Sequence, residues 1–148
     1  MSAEQLLGSV SDQGLTIVAD LEAGIGTLTR LAESAVDVTV VVVEPTPRSI
    51  DVAERAVAVA SDQAQGRVII VANKVADAAD RDRLNTAFAG QEIVFVPDDH
   101  AIEAADRRGS SPVDDAPDAP AVAAIERLVE LLLDTADLGS PRSESRNG

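Results

Sequence analysis

The chain is predicted to be α/β, with a mostly parallel sheet of four or more strands and helices on both faces. Three observations lead there. Short runs rich in Val and Ile alternate with amphipathic helical stretches, the rhythm of β-α units. Hydrophobic residues make up 45% of the 148 residues but aromatics only 1%, Phe88 and Phe95, so the core must be Val, Ile, Leu and Ala. Such a core suits strands buried on both faces beneath Ala-rich helices. A chain of this length makes one domain that buries roughly two-thirds of its unfolded surface, enough for a proper core.

Taken in order, Ala3–Val10 offers one or two helical turns before Asp12-Gln13-Gly14, too few to stand alone. Leu15–Ala19 reads as the first strand, Val38–Val43 as the second, Arg67–Ala72 as the third and Glu92–Val96 as the fourth. The second and third are nearly continuous in β-branched residues, as central strands should be. Thr46 and Pro47 read as a helix N-cap and first helical position. Ile50, Ala53, Val57 and Ala60 then recur at helical spacing, giving a helix over Pro47–Gln63 that stops before Gly66. A second helix over Asp77–Ala89 places Leu84, Ala87 and Phe88 on its apolar face and stops at Gly90. A short one covers His100–Arg108, closed by Gly109. After the Ser, Pro and Asp-rich turn Ser110–Asp118, Pro120 opens the last helix. Its stripe of Val122, Ile125, Leu128, Val129 and Leu132 is core or subunit interface. The domain is expected to span 1–138, with 139–148, GSPRSESRNG, as a disordered polar tail. No internal repeat is visible.

Charge narrows the function. The net charge is −14 and the pI about 4.2, with one lysine, Lys74, against eleven arginines. Nucleic-acid binding neutralises phosphates with clustered cations, so that class is excluded, and an anionic membrane surface is equally unattractive. The acidity itself speaks to solubility. No cysteine means no disulfide, thiolate metal site or cysteine nucleophile. The start MSAEQLLGSVSDQG lacks a basic and apolar leader, and no run approaches the roughly 18 apolar residues of a membrane span, so no membrane insertion and a cytoplasmic location are expected.

In an open parallel sheet, ligands bind beyond the carboxyl ends of the strands. The residues there are Asp20-Leu21-Glu22-Ala23-Gly24, Glu44-Pro45, Asn73-Lys74-Val75 and Pro97-Asp98-Asp99. A strand running into Asp20, then Glu22 and the Gly24 turn, can hold a carboxylate where a metal-bound phosphate sits. The same Asp20 could equally end a strand or start a turn. The phosphate-cradling loop that would face it, G-x-x-x-x-G-K-[ST], is absent from the sequence. Asn73-Lys74 approaches the guanine-reading N-K-x-D pattern, but the next acid, Asp77, lies one position too far. Asp98-Asp99-His100 could ligate a metal, although aspartates before a helix are usually N-caps, and nothing identifies a partner for His100 as a general base. A phospho-receiver needs paired acids after its first strand and an aspartate after its third; here one acid and Asn73 stand there.

The succession VADLEAG, VVVVEPTPRSIDVAERA, VIIVANKV and VFVPDD, then a short helix and a turn bearing Arg, Gly, Ser and Pro, resembles the C-terminal half of the MinD/CooC group of P-loop ATPases. The nearest subgroup is the carbon monoxide dehydrogenase maturation ATPases, and the resemblance spans about Ala3–Leu133. It implies a partial P-loop NTPase fold. It implies too that Asp20 belongs to the Mg²⁺ shell, Glu22 and Gly24 to a switch that responds to the γ-phosphate, Asn73 to adenine, and Pro97 and Asp98 to the rim of the base. Carboxylates suit hard cations, and an Asn amide both donates to and accepts from a base edge.

The chain departs from that family in three ways. It has no Walker A loop, its lysine lies in the NKV segment, and the Cys-x-Cys pair of some maturation ATPases is missing. Since the P-loop supplies most phosphate and Mg²⁺ contacts, the chain alone should bind ATP weakly and hydrolyse it hardly at all. In that fold the P-loop strand lies between the strands that here end at Asp20 and Glu44. Those two must therefore pair directly, accept a strand from another chain, or leave open edges that invite association. The resemblance thus points to a P-loop-less homologue acting as a non-catalytic binding or regulatory module, joined by a protein partner or forming a homodimer. ATP or ADP with magnesium would be held only where a partner supplies the P-loop. The alternative is a subunit of a split ATPase, of the metal-cofactor maturation or partitioning type, that completes a partner's site in trans.

Overall fold

Parallel strands need long crossovers, and the chain supplies a helix at each one. The structure, a computed structural model, describes residues 16–20, 36–62 and 66–139. Strand β1 (Val38–Val43) leads into helix α1 (Pro47–Asp62), and β2 (Arg67–Val75) into α2 (Ala78–Ala87). Strand β3 (Glu92–Pro97) is followed by α3 (His100–Arg108), the short α4 (Pro112–Asp115) and the long α5 (Pro120–Gly139). The sheet is parallel in the order β1-β2-β3, with Val38 opposite Arg67 and Ile69 opposite Glu92.

Side-chain alternation along the strands divides the core between the two faces. On one face Val41, Val43, Ile70 and Ala72 pack with Ala53 and Val57 of α1, Leu84 of α2 and Phe88 just past its end. On the other, Val71 and Val96 meet Ala121, Ala124 and Leu128 of α5 and Ile102 of α3. Helices therefore cover both faces. β2 is the middle strand, and Ile69, Ile70 and Ala72 are wholly inaccessible to solvent.

The start of β2 is held from three sides. Gly66 sits at φ +66°, and the Arg67 N–H donates to the Asp37 carbonyl at 2.9 Å. The Arg67 guanidinium donates through Nε to Glu92 Oε2 at 2.9 Å and through Nη1 to the Leu131 carbonyl at 3.3 Å. One side chain thus ties β2 to both β3 and α5.

The expected elements compare closely with these. β1 and α3 have the anticipated bounds. α1 runs through Asp62, with Gln63 outside the described residues, α2 begins after Asp77 and closes at Ala87, and β3 extends to Pro97. Two features were not anticipated: β2 continues through Val75, and the turn Ser110–Asp118 contains α4.

Leu15–Ala19 departs from expectation. Its described part, within Thr16–Asp20, carries no strand and is exposed, and the described sheet has three strands. A strand is held by its ladder bonds, and among the described residues nothing pairs with this segment. The stripe of the last helix is divided: Val122 is buried and Leu128 packs on the sheet with Ala121 and Ala124, whereas Ile125 and Val129, expected as core or subunit interface, are exposed. The anticipated turns at Ala3–Val10, the segment Asp12–Gly14 and the tail beyond residue 139 lie outside the described residues. Among those described, no helix is long and apolar enough to cross a membrane.

A Cβ on Gly66 would fall inside contact distance of the Val36 and Asp37 carbonyl oxygens, in a backbone region that L side chains avoid. Gly66→Ala is expected to cost about 2 kcal/mol or more in denaturant unfolding, since strain and a backbone clash add. A loss below about 0.5 kcal/mol, the ordinary surface value, would contradict this account.

Candidate functional site

The carboxyl ends of the three strands collect Glu44-Pro45, Asn73-Lys74 and Pro97-Asp98-Asp99 on one edge of the sheet. What shapes this edge is an irregularity in β2. Ala72 pairs with Phe95 and Val75 with Pro97, so Asn73 and Lys74 together stand opposite Val96. This is a β-bulge, with the extra residue, Lys74, in the left-handed region at φ 56°. The bulge advances the alternation by one. Val75 rejoins the core on the Ile70–Ala72 face, while Asn73 and Lys74 are left at the rim. The polar Asn-Lys pair looked like the end of the strand, which is why β2 was expected to stop at Ala72.

Lys74 reaches across to β1, its Nζ 2.8 Å from Glu44 Oε1. The hydrogen bond to Glu44, then that carboxylate's charge, raise the Lys74 pKa above its ordinary value, with Asp98 and Glu103 adding in the same direction. The Glu44 N–H donates to Ser49 Oγ at 2.9 Å, which folds the Glu44–Ser49 loop tightly against the strand end. Beyond the bulge, the Asp98 N–H donates to the Val75 carbonyl at 3.0 Å, tying β3's exit to β2's.

Helices begin along this edge, and its acids and hydroxyls serve them first. The Ser49 N–H donates to Thr46 Oγ1 at 3.3 Å. At α2 the capping is reciprocal: the Asp80 N–H donates to Asp77 Oδ1 at 2.9 Å, and the Ala76 N–H to Asp80 Oδ2 at 3.1 Å. Asp99 serves two helices, accepting from the Ala101 N–H of α3 at 2.9 Å and the Ala121 N–H of α5 at 3.2 Å. It is a joint between helix starts, as its position before α3 suggested. His100 is fully exposed, with Nδ1 3.7 Å from Glu103 Oε2. Among the described residues, no three His, Cys, Asp or Glu side chains are grouped to hold a metal ion.

The candidate residues thus fall into three groups. Asn73, Pro97 and Asp98 are brought together at the exits of the adjacent strands β2 and β3, with Asn73 and Pro97 half-buried and Asp98 exposed. Asp20 is exposed and is not joined to them by any described contact. Glu22 and Gly24 lie outside the described residues. Glu44 and Lys74, which the expected site did not include, are the pair that latches the edge; their positions after strands were the available signal. Chemically, the edge sets the carboxylates of Glu44, Asp98 and Glu103 about one ammonium already paired to Glu44. That set does not by itself fit a triphosphate, whose charge it would oppose.

The turn after α3 forms a second polar cluster. Gly109 closes α3 in the left-handed conformation, and Asp115 Oδ2 accepts from Arg108 Nε at 2.9 Å, from Arg108 Nη2 at 2.7 Å and from Ser110 Oγ. The Ser110 hydroxyl, followed by Arg108, holds the Asp115 carboxyl below its ordinary value. The cluster fixes α4 against the end of α3.

No model of a known protein family matches the chain, and no curated protein sequence matches it.

A lysine in the left-handed region is strained, and glycine is not. Lys74→Gly loses an exposed ion pair and makes the unfolded chain more flexible, but it relieves that strain. Its unfolding free energy should stay within about 0.5 kcal/mol of the parent, whereas Lys74→Val should lose more than about 1 kcal/mol. Equal stabilities for the two variants would show the bulge to be unstrained.

A depressed folded-state pKa at Asp115 stabilises the fold above the unfolded value and loses that contribution as pH falls through the folded one. In an NMR titration Asp115 should protonate below the ordinary aspartate value of 3.8, and Ser110→Ala should move it back toward that value. An unmoved midpoint would remove the hydroxyl from this role.

Proposed function

We propose that the chain is a P-loop-less homologue of the MinD/CooC-like ATPases, acting as a non-catalytic binding or regulatory module of the cytoplasm. The observation that carries the reading is the order of the edge. Parallel β1, β2 and β3 deliver Glu44-Pro45, Asn73-Lys74 and Pro97-Asp98 to one side of the sheet in the sequence that the resemblance implies. In this reading Asn73 reads a base edge through its amide, Pro97 and Asp98 rim the base, and Asp20, Glu22 and Gly24 form the metal-facing segment. The unfavourable charge of the edge and the missing Walker A sequence keep the module from turning over nucleotide alone.

A second reading is favoured by β1. Among the described residues its outer edge has no partner, and the strand sequence VTVVVV carries neither charge nor proline to block one. In the split-ATPase form, a protein partner bearing the P-loop, or a second copy of the chain, adds the fourth strand there. ATP or ADP with magnesium then binds between the two chains.

Titration with Mg-ATP, followed by amide chemical shifts, separates these readings. A nucleotide-associated module should shift Asn73 and its neighbours at millimolar ATP with no phosphate release. Turnover by the chain alone, abolished in Asp20→Ala, would overturn the non-catalytic reading. For the split form, co-expression with a P-loop-bearing partner should give a soluble complex with Mg-dependent ATPase activity; an inert monomer in its presence would sink that form.

A further inference from the structure

The two faces of the sheet are not covered equally. Over the face of Val41 and Val43, α1 and α2 leave both residues buried. On the opposite face α5 packs over β3 and reaches Val71 of β2, and there β1 turns out Val40 and Val42, the latter 61% exposed. A helix is about 10–12 Å across and strands lie about 4.8 Å apart, so one more helix fits over β1 beside α5.

Helix α5 itself is unfinished in a regular way. Ile125, Val129 and Leu133 recur every four residues, and all three are exposed. Each is followed by an exposed acid, Glu126, Glu130 and Asp134, so an apolar row runs beside an acidic row along the same helix. Asp37, exposed at the start of β1, carries the same sign.

The geometry points to a docking surface, formed by Val40 and Val42 of β1 and the Ile125–Val129–Leu133 row of α5, for an amphipathic helix of another protein whose apolar stripe is edged by Lys or Arg. Charge selects this occupant. A second copy would bring its own acidic row and net charge of −14 against this one, whereas a basic-edged helix answers both rows. The surface uses none of the residues assigned to nucleotide and stands whether or not nucleotide binds.

The test uses the full chain and a fluorescein-labelled 18-residue peptide of leucine and lysine at helical spacing. Its controls are a scrambled peptide of the same composition and a leucine–glutamate counterpart, all read by fluorescence anisotropy. The patterned basic peptide should bind at least tenfold more tightly than either control. Val42→Ser and Val129→Ser should each weaken it at least fivefold, with circular dichroism and melting temperature checking that each variant is folded. The triple variant Glu126→Gln, Glu130→Gln, Asp134→Asn should weaken it and flatten its salt dependence. Equal binding of the scrambled peptide, no binding at millimolar peptide, or indifference to both serine variants overturns the proposal. So does sedimentation showing a dimer that the serine variants dissociate, since a second copy would then be the occupant.

Discussion

β2 is hydrogen-bonded along both edges and packed on both faces, and the rest of the described chain is arranged by what that position requires. A strand with water on neither side must be apolar at every position, and RVIIVA is apolar from its second residue onward. Burying a side chain such as Ile69 or Ile70 is worth about 1.5–3 kcal/mol, and both contribute in full because nothing of either reaches solvent. The layers on either side follow from alternation: Ile70 and Ala72 recruit α1 and α2, Val71 recruits α5. Even the polar ties converge on this strand, through Arg67 at its start and the Lys74–Glu44 pair at its end.

Where a residue's local preference and its burial agree, the structure could be read in advance. Val38–Val43 was plain because six consecutive β-branched residues admit little else, and His100–Arg108 because an aspartate precedes it and a glycine follows. Asp99 was legible as a cap for the same reason, whereas Asp77, read as the first residue of its helix, is its cap. Two things were not legible. Polar residues inside a strand look the same as residues after one, so the continuation of β2 through Asn73 and Lys74 was hidden. Apolarity does not say whether a partner exists, so Leu15–Ala19 read as a strand and the α5 stripe as core or subunit interface, although among the described residues nothing covers Ile17, Val18, Ile125 or Val129. Of the candidate site, the assembly of Asn73, Pro97 and Asp98 was visible from strand order alone, and the latch between Glu44 and Lys74 was not.

The acidity of the chain has different consequences at different places. At the helix starts it is spent locally, since Asp77, Asp80 and Asp99 each accept backbone N–H groups that would otherwise lack partners. At the carboxyl edge it surrounds one lysine and sets the sign of the field a ligand would meet. Along α5 it lies in a row beside exposed apolar residues, where no ion pair engages it among the described residues. The same composition that reads as solubility when averaged is therefore three separate devices when placed.

The bulge at Asn73-Lys74 also gives this segment one residue of slack. Ala72 and Val75 face the same core although they are three positions apart, because the bulge takes up one residue. Removing one of the two would leave Ala72 and Val75 two apart, the regular spacing for one face, with Val75 still opposite Pro97 and in place to accept from the Asp98 N–H, and exchanging either for another residue also leaves the phase intact. Drift at this edge can therefore appear as loss of the extra residue as well as substitution, so the pairing of Val75 with Pro97 is a more durable mark of descent than the number of residues between Ala72 and Val75.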